Sequence, residues 1–285
     1  MWRIIEIILF ILIGFSSLYP AEKGYLMIIG GGARPDTLFR RFIELSGGPD
    51  KPLLIIPLAS GDPLDAALFQ RHQFESNGAN NVRFILADSS TIDSDSVLQK
   101  LTEVGGVFFT GGDQNKLTHL FLGTKFLDQL HSFYNQGGII AGTSAGAAIM
   151  CQMMITGNEK LNTDTLNGFK SIQSNNIETG PGFGFLENVI IDQHFIKRKR
   201  ENRLLSLVLE HPQLLGIGID ESTAIVIDPQ MIFTVIGRSN VMIIDASATT
   251  HIAANQFQHL SGQNIRLDLL IQGQRYDLKR KVLIP

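Results

Sequence analysis

From Tyr25 onward, short apolar runs alternate with longer amphipathic stretches. The runs "YLMIIG", "PLLIIPLA", "VRFILA", "GVFFTGG" and "GIIAGTS" are continuous rather than alternating, which suits strands buried on both faces of a parallel sheet. Between them, helical periodicity covers Thr37 to Leu45, Pro63 to Ser76, Asp95 to Val104, Lys116 to Leu122 and Lys125 to Asn135. Strand and helix in turn predict an α/β fold: a mostly parallel sheet with helices on both faces. The short β runs from Gly216 to Asp245 follow one another without helices, which predicts antiparallel strands appended to that sheet. The tail from Thr249 to Pro285 reads as terminal strands without assignable chemistry.

Two segments break the rhythm. Residues 156 to 187 form a Gly, Asn, Ser and Thr-rich passage, too long for an ordinary connection and expected to be an active-site loop or cover. The first residues carry Arg3, an apolar segment from Ile7 to Phe15 and then small and turn-forming residues, the layout of a secretory signal peptide. Glu6 sits where the charge should be positive, and no small-x-small cleavage site lies between Ser16 and Ala21. Residues 1–21 are therefore expected to be a signal peptide or an N-terminal anchor, and residues 22–285 one α/β domain. Export to the periplasm or the medium is the matching expectation, and cytoplasmic residence the alternative if the leader is not a signal.

Composition narrows the function classes. A 285-residue chain with 44% apolar and 18% charged residues can bury a large core. A net charge of -3 without a basic tail lacks the footprint of a nucleic-acid binder. Cys151 is the only cysteine, so neither an internal disulfide nor a thiolate cluster is open to this chain.

The candidate chemistry centres on "AGTSAGAAIM", residues 141 to 150. Ser144 lies between Gly142 and Gly146 where a strand gives way to a helix-forming run. A nucleophile on such a turn needs small neighbours, because the backbone is strained and the helix packs close to the sheet. The same turn aims the Ala145 N–H at a developing oxyanion.

A serine hydroxyl needs a base, and the base needs an orienting group. "IIDQHF" supplies His194 at a strand end, and "GIGIDESTA" supplies Asp220 and Glu221, either of which could hold the imidazole. His72, His119, His131 and His211 lie in or beside helix candidates, and His251 and His259 lack a small-residue or acidic frame. The order serine, histidine, acid differs from the serine, acid, histidine order of α/β-hydrolases.

Upstream, Gly111 and Gly112 end another strand, and the N–H of Gly112 or Asp113 is a candidate second oxyanion donor. "IIGGGARPD" lacks the spacing of a dinucleotide fingerprint and reads as a loop on the same edge. A basic helix is expected from Lys197 to Leu209. Arg198, Arg200 and Arg203, four, six and nine positions beyond His194, read as clamps for substrate carboxylates.

"GTSAGA", "IDQHF" with its spaced arginines, and "GIGIDESTA" together resemble the cyanophycinases, within the wider family of serine peptidases that includes the aspartyl dipeptidase peptidase E. The similarity runs from about Tyr25 to at least Asp245. It implies a flavodoxin-like, class I glutamine-amidotransferase-like fold and a homodimer. It also implies Ser144 as nucleophile, His194 as general base and Glu221 as the orienting acid. Gln114, Asp192, Gln193, Arg198, Arg200 and Arg203 fall on positions implied to line the substrate groove. The substrate so implied is cyanophycin, a poly-aspartate with arginine on each β-carboxyl, or β-aspartyl-arginine peptides derived from it. Arginines would hold its carboxylates, and Asp192 its guanidinium. No metal, cofactor or nucleic acid is required, and membrane contact would come only through an uncleaved leader. The passage from Gly157 to Phe185 matches no motif of that family.

Overall fold

The computed structural model describes residues 23–161 and 170–285. The expected leader, and the middle of the 156–187 passage, lie outside the described residues.

Five strands build a parallel sheet: β1 (Leu26–Ile29), β2 (Leu53–Ile56), β3 (Val82–Phe84), β4 (Gly106–Phe109) and β5 (Ile139–Thr143), in the order β1-β5-β4-β2-β3. Their uninterrupted apolar runs serve two cores at once, because successive side chains point to opposite faces. Leu26, Ile28, Leu54, Ile56, Val107, Phe109 and Ile140 belong to one core, and Met27, Ile29, Leu53, Ile55, Phe108, Ile139 and Ala141 to the other.

Helices α1 (Asp36–Leu45) and α2 (Pro63–Ser76) cover the second face, where Phe39, Phe42, Phe74 and Phe108 meet with ring centroids 5.2 to 5.8 Å apart. Burying a side chain such as Phe74 stabilises the fold by about 1.5–3 kcal/mol. The first face is covered by α4 (Gln114–Phe121), α5 (Lys125–Asn135) and the one-turn α6 (Ala145–Ala148), while α3 (Asp95–Leu98) runs into a 3-10 turn. The helix expected from Asp95 to Val104 is therefore shorter and tighter.

The late β runs divide between two sheets. β10 (Thr223–Ile227) extends the parallel sheet antiparallel to β1, and β11 (Ile232–Gly237) pairs antiparallel with β10, followed by β16 (Arg275–Asp277) and β17 (Val282–Ile284) at the edge. The other runs, β9 (Leu215–Ile219) and β12 (Val241–Asp245), join β8 (Val189–Gln193) and β15 (Arg266–Leu270) in a separate four-stranded sheet. Within it β8 and β9 are parallel. One face of this second sheet shares the large core with the parallel sheet, through Val189, Ile191, Ile217 and Ile243. Its other face is covered by α7 (Glu201–Glu210), through Leu204, Leu207 and Val208.

The passage expected as a loop holds an antiparallel pair, β6 (Met153–Glu159) with β7 (Ile177–Pro181), whose register shifts between Ile155 and Glu159. A further pair, β13 (Thr250–Ala254) with β14 (Leu260–Gln263), is solvent-exposed over most of its length. No helix of the described residues is long and apolar enough to cross a membrane.

Candidate active site

Ser144 stands at the carboxyl end of β5, between the carboxyl ends of β4 and β1, where ligands of open α/β sheets bind. Its backbone sits at φ 53 and ψ -110, outside the regions favoured by L-residues, a conformation costing on the order of 1–3 kcal/mol. Its N–H donates to Ile29 O at 3.1 Å, and its carbonyl accepts from Ala147 and Ala148 N–H at 2.9 and 3.0 Å. The flanking glycines are steric necessities. A Cβ on Gly142 would lie 2.0 Å from Gly146 O, and one on Gly146 would lie 2.5 Å from Phe109 O. The strand and the first turn of α6 can pass each other only without side chains there.

Three separated segments then meet. His194 Nε2 is 2.9 Å from Ser144 Oγ, and His194 Nδ1 is 2.6 Å from Glu221 Oε1. The imidazole is nearly buried, whereas the Glu221 side chain keeps 26% of its surface exposed. The ambiguity between the two acids resolves in space. Asp220 turns away, accepting from Lys197 N–H at 2.9 Å and from Ser239 Oγ at 2.7 Å.

Burial pushes the His194 imidazole below its ordinary pKa of 6.5. The hydrogen bond and charge of Glu221 oppose that shift, and the charges of Arg198 and Arg200 reinforce it. The ring is therefore neutral at pH 7, able to accept a proton from the hydroxyl.

The glycine-rich loop after β1 holds this histidine. Gly30 O accepts from His194 N–H at 2.7 Å, and Gly31 O accepts from Ser222 N–H at 2.9 Å. A Cβ on Gly31, at φ +105, would lie 2.3 Å from His194 Cε1, and one on Gly32, at φ +69, would lie 2.7 Å from Glu221 Oε2. The sequence displays the triple glycine but not its partners, because nothing local couples residue 31 to residue 194.

The candidate oxyanion donors separate. Among the described residues no hydrogen bond engages the N–H of Ala145 or of Gly112, and the Gly111 Cα faces Ser144 closely enough that an added Cβ would lie 3.3 Å from the serine Cβ. The Asp113 N–H is spent on Ala59 O at 2.9 Å, and its carboxylate caps α4 through Asn115 N–H at 2.8 Å. Asp113 is thereby corrected from oxyanion donor to helix cap.

Of the six expected groove residues, two keep an open face. Arg198 is exposed on the turn after His194, and Arg200 is partly buried with its bonds running through Nη1, to Gln193 O at 2.7 Å and Gln193 Oε1 at 2.6 Å. The turn is not the start of a helix. His194 and Lys199 both take positive φ, and α7 begins only at Glu201.

The other four serve the scaffold. Arg203 is inside the protein, forked onto the equally buried Asp192 through Nε to Oδ2 at 2.6 Å and Nη2 to Oδ1. Neither can reach a substrate, which corrects both the third clamp and the guanidinium acceptor. Gln114 spends its amide N–H groups on Ile155 O and Thr156 O, at 3.0 and 2.5 Å, tying the β6–β7 pair to the rim of the site. Gln193 holds Arg200. Among the described residues no group of three or more His, Cys, Asp and Glu side chains could hold a metal ion.

An alcohol, an imidazole and a carboxylate in line at the edge of an α/β sheet is an arrangement that serine peptidases use on several folds, and this chain is a serine peptidase. It belongs to peptidase family S51, whose model matches residues 26–235. The chain is 32% identical over 272 residues to a cyanophycinase of Synechococcus elongatus, covering 92% of this chain and 81% of that one. To a cyanophycinase of Trichormus variabilis it is 33% identical over 275 residues, covering 93% and 89%. The fold is shared with a crystal structure of a peptidase from an acI-B1 Actinobacterium, at TM-score 0.66 and 21% identity over 91% of this chain and 98% of that one. It is also shared with a putative peptidase E protein from Listeria monocytogenes, at TM-score 0.53 and 16% identity over 76% and 100%.

Proposed function

We propose that the protein hydrolyses cyanophycin to β-aspartyl-arginine dipeptides through an acyl-enzyme on Ser144. The carrying observation is the contiguous line from Ser144 Oγ through His194 to Glu221 Oε1, in a chain alignable over nine-tenths of its length with cyanophycinases.

Ser144 Oγ attacks the backbone carbonyl carbon after an aspartyl unit while His194 Nε2 takes its proton. Glu221 holds the ring so that Nε2 faces the hydroxyl, and balances the imidazolium charge. The oxyanion is received by the N–H groups of Ala145 and Gly112, each such donor being worth about a hundredfold or more in rate. His194 returns the proton to the leaving amine, and water repeats the sequence to release the dipeptide. Arg198 and Arg200 take carboxylates of the flanking repeats, Arg200 with the guanidinium edge that Gln193 leaves open.

The reading extends to a homodimer and to export through the leader of residues 1–21. Light scattering tests the first and N-terminal sequencing of the mature protein the second. The deciding experiment is mass spectrometry of products from purified cyanophycin. Dipeptide release by the wild type and its loss in Ser144→Ala is the expected result. Intact cleavage in Ser144→Ala would remove the mechanism.

A further inference from the structure

A partly buried cation with no carboxylate partner among the described residues lies just beyond the glycine-rich loop that holds His194. The Arg34 guanidinium donates to Gln70 Oε1 at 2.7 Å and to Gln73 Oε1 at 2.5 Å, both neutral amides, and lies over the faces of Phe39 and Phe108 at 5.4 and 5.8 Å. Among the described residues, its Nε and the Nε2 of the fully buried Gln70 have no hydrogen-bond partner. A charge withdrawn from water costs free energy unless it is paired, and an unpaired buried polar atom costs more again. Burial pushes this guanidinium down to about 10, and no neighbouring carboxylate counters the shift.

Arg34 opens onto a hollow of about 390 Å³ lined also by Ala33, Asp36, Arg40 and Arg238. Three guanidiniums face one carboxylate there, so the hollow is positive. Asp36 is paired with Arg40 at 3.5 Å, and both side chains are about two-thirds exposed, so the pair is weak and displaceable. The first turn of α1 forms one wall and has no side-chain cap, which adds the positive end of a ten-residue helix.

The hollow is also connected to the catalytic residues. Gly31 packs on His194, Gly32 on Glu221, and the carbonyl of Ala33 accepts from Ser222 Oγ at 2.5 Å. The Arg238 N–H donates to Ser222 O at 3.0 Å. Gly31 and Arg34 are three residues apart, at most about 10 Å of chain. That span equals about three units of an extended peptide backbone.

We propose that this hollow is a carboxylate-binding subsite that holds a repeat of the polymer beyond the one being cleaved. The assignment to substrate rests on the function proposed above, because each cyanophycin repeat presents the free carboxylate of its arginine. The carboxylate is received by Arg40 and Arg238 at the mouth and supplies the counter-charge that Arg34 lacks inside.

The test uses full-length protein carrying Ser144→Ala, with and without Arg40→Ala and Arg238→Ala, titrated with hexa-aspartate by calorimetry. Both arginines are exposed, so the triple variant should melt like its parent. Salt-sensitive binding to Ser144→Ala that weakens about tenfold in the triple variant supports the subsite. Equal affinity in the two overturns it. The arginine pair is then replaced in active enzyme, and cyanophycin kinetics are measured. A KM raised about tenfold with kcat changed less than about twofold supports the polymer as occupant. An unchanged KM, together with lost hexa-aspartate binding, overturns the polymer assignment and leaves a site for a free anion. If wild-type enzyme releases nothing from cyanophycin, the proposed function fails and the polymer assignment with it. The hexa-aspartate titration still decides whether the hollow binds carboxylates.

Discussion

Arg203 grips Asp192 in the interior, beneath the turn that carries Arg198 and Arg200, and both side chains are closed to solvent. Asp192 is the residue two before His194, at the end of β8, so the pair fixes the strand end from which the imidazole departs.

Replacing Arg203 with Met leaves the buried Asp192 carboxylate with only the Gln193 N–H at 2.8 Å and the more distant Arg200 Nη1 at 3.8 Å, and the expected loss is about 3 kcal/mol of folding stability by urea denaturation. The double variant Asp192→Leu/Arg203→Met should recover much of it, because the buried charge disappears with its partner. A substrate clamp would behave differently: Arg203→Met would raise KM and leave the unfolding midpoint unchanged.

The depressed pKa of His194 sets a pH dependence. Protonation removes the base, so kcat/KM should fall on the acid side with a midpoint below 6.5. Burial is the main cause and the charges of Arg198 and Arg200 add to it, so Arg198→Ala should move the acid limb upward toward 6.5. The same shift affects stability with a fixed sign. The folded state binds this proton less readily than the unfolded chain, so its contribution is present above 6.5 and is lost as pH falls through the lower, folded value. A kcat/KM acid limb centred above 6.5 would contradict the buried, neutral imidazole.

Gly31→Ala tests the cradle. The added methyl would lie 2.3 Å from His194 Cε1, on a backbone at φ +105 that alanine resists. Displacing the ring by about 1 Å is expected to cost about a hundredfold in kcat/KM. Circular dichroism should show the same secondary structure, with a modest drop in the unfolding midpoint. Wild-type activity in this variant would mean that the loop does not position the imidazole.

How much of this was readable from the chain depends on whether a residue's role is local. The parallel strands were legible because a strand buried on both faces must be apolar throughout, as in "LLII" of β2. The turn at Ser144 was legible because Gly142 and Gly146 are neighbours in sequence as well as in space. The arginine cluster was not. Its expected helix ignored the positive φ of His194 and Lys199, which the types of those residues do not announce. Arg203 and Arg200 are three positions apart and chemically identical, yet one faces inward to Asp192 and the other toward Gln193. Only the tertiary placement of β8 decides which is which. Likewise β9 and β12 have the same apolar texture as β10 and β11, and texture does not say which sheet a strand joins.

The C-terminal strands are held by a second charged cluster, and its removal should loosen that edge alone. Arg266 Nη2 reaches Asp245 at 3.2 Å, Tyr276 OH at 2.7 Å and Lys281 O at 2.7 Å, joining β15, β12 and the β16–β17 edge through one guanidinium. Burial alone would raise the Asp245 pKa, but hydrogen bonds from Ser247 and the Lys281 ammonium hold it below the ordinary 3.8. Its contribution to stability is therefore present above 3.8 and lost as pH falls through the lower folded value. Arg266→Ala removes several of these bonds and leaves Asp245 with Lys281 at 3.3 Å, so a loss of about 1–3 kcal/mol is expected. Hydrogen exchange should quicken at β15, β16 and β17, while β1, β4 and β5 keep their protection and kcat/KM stays at the wild-type value. Faster exchange spread evenly over both sheets would show instead that the C-terminal strands unfold together with the catalytic core.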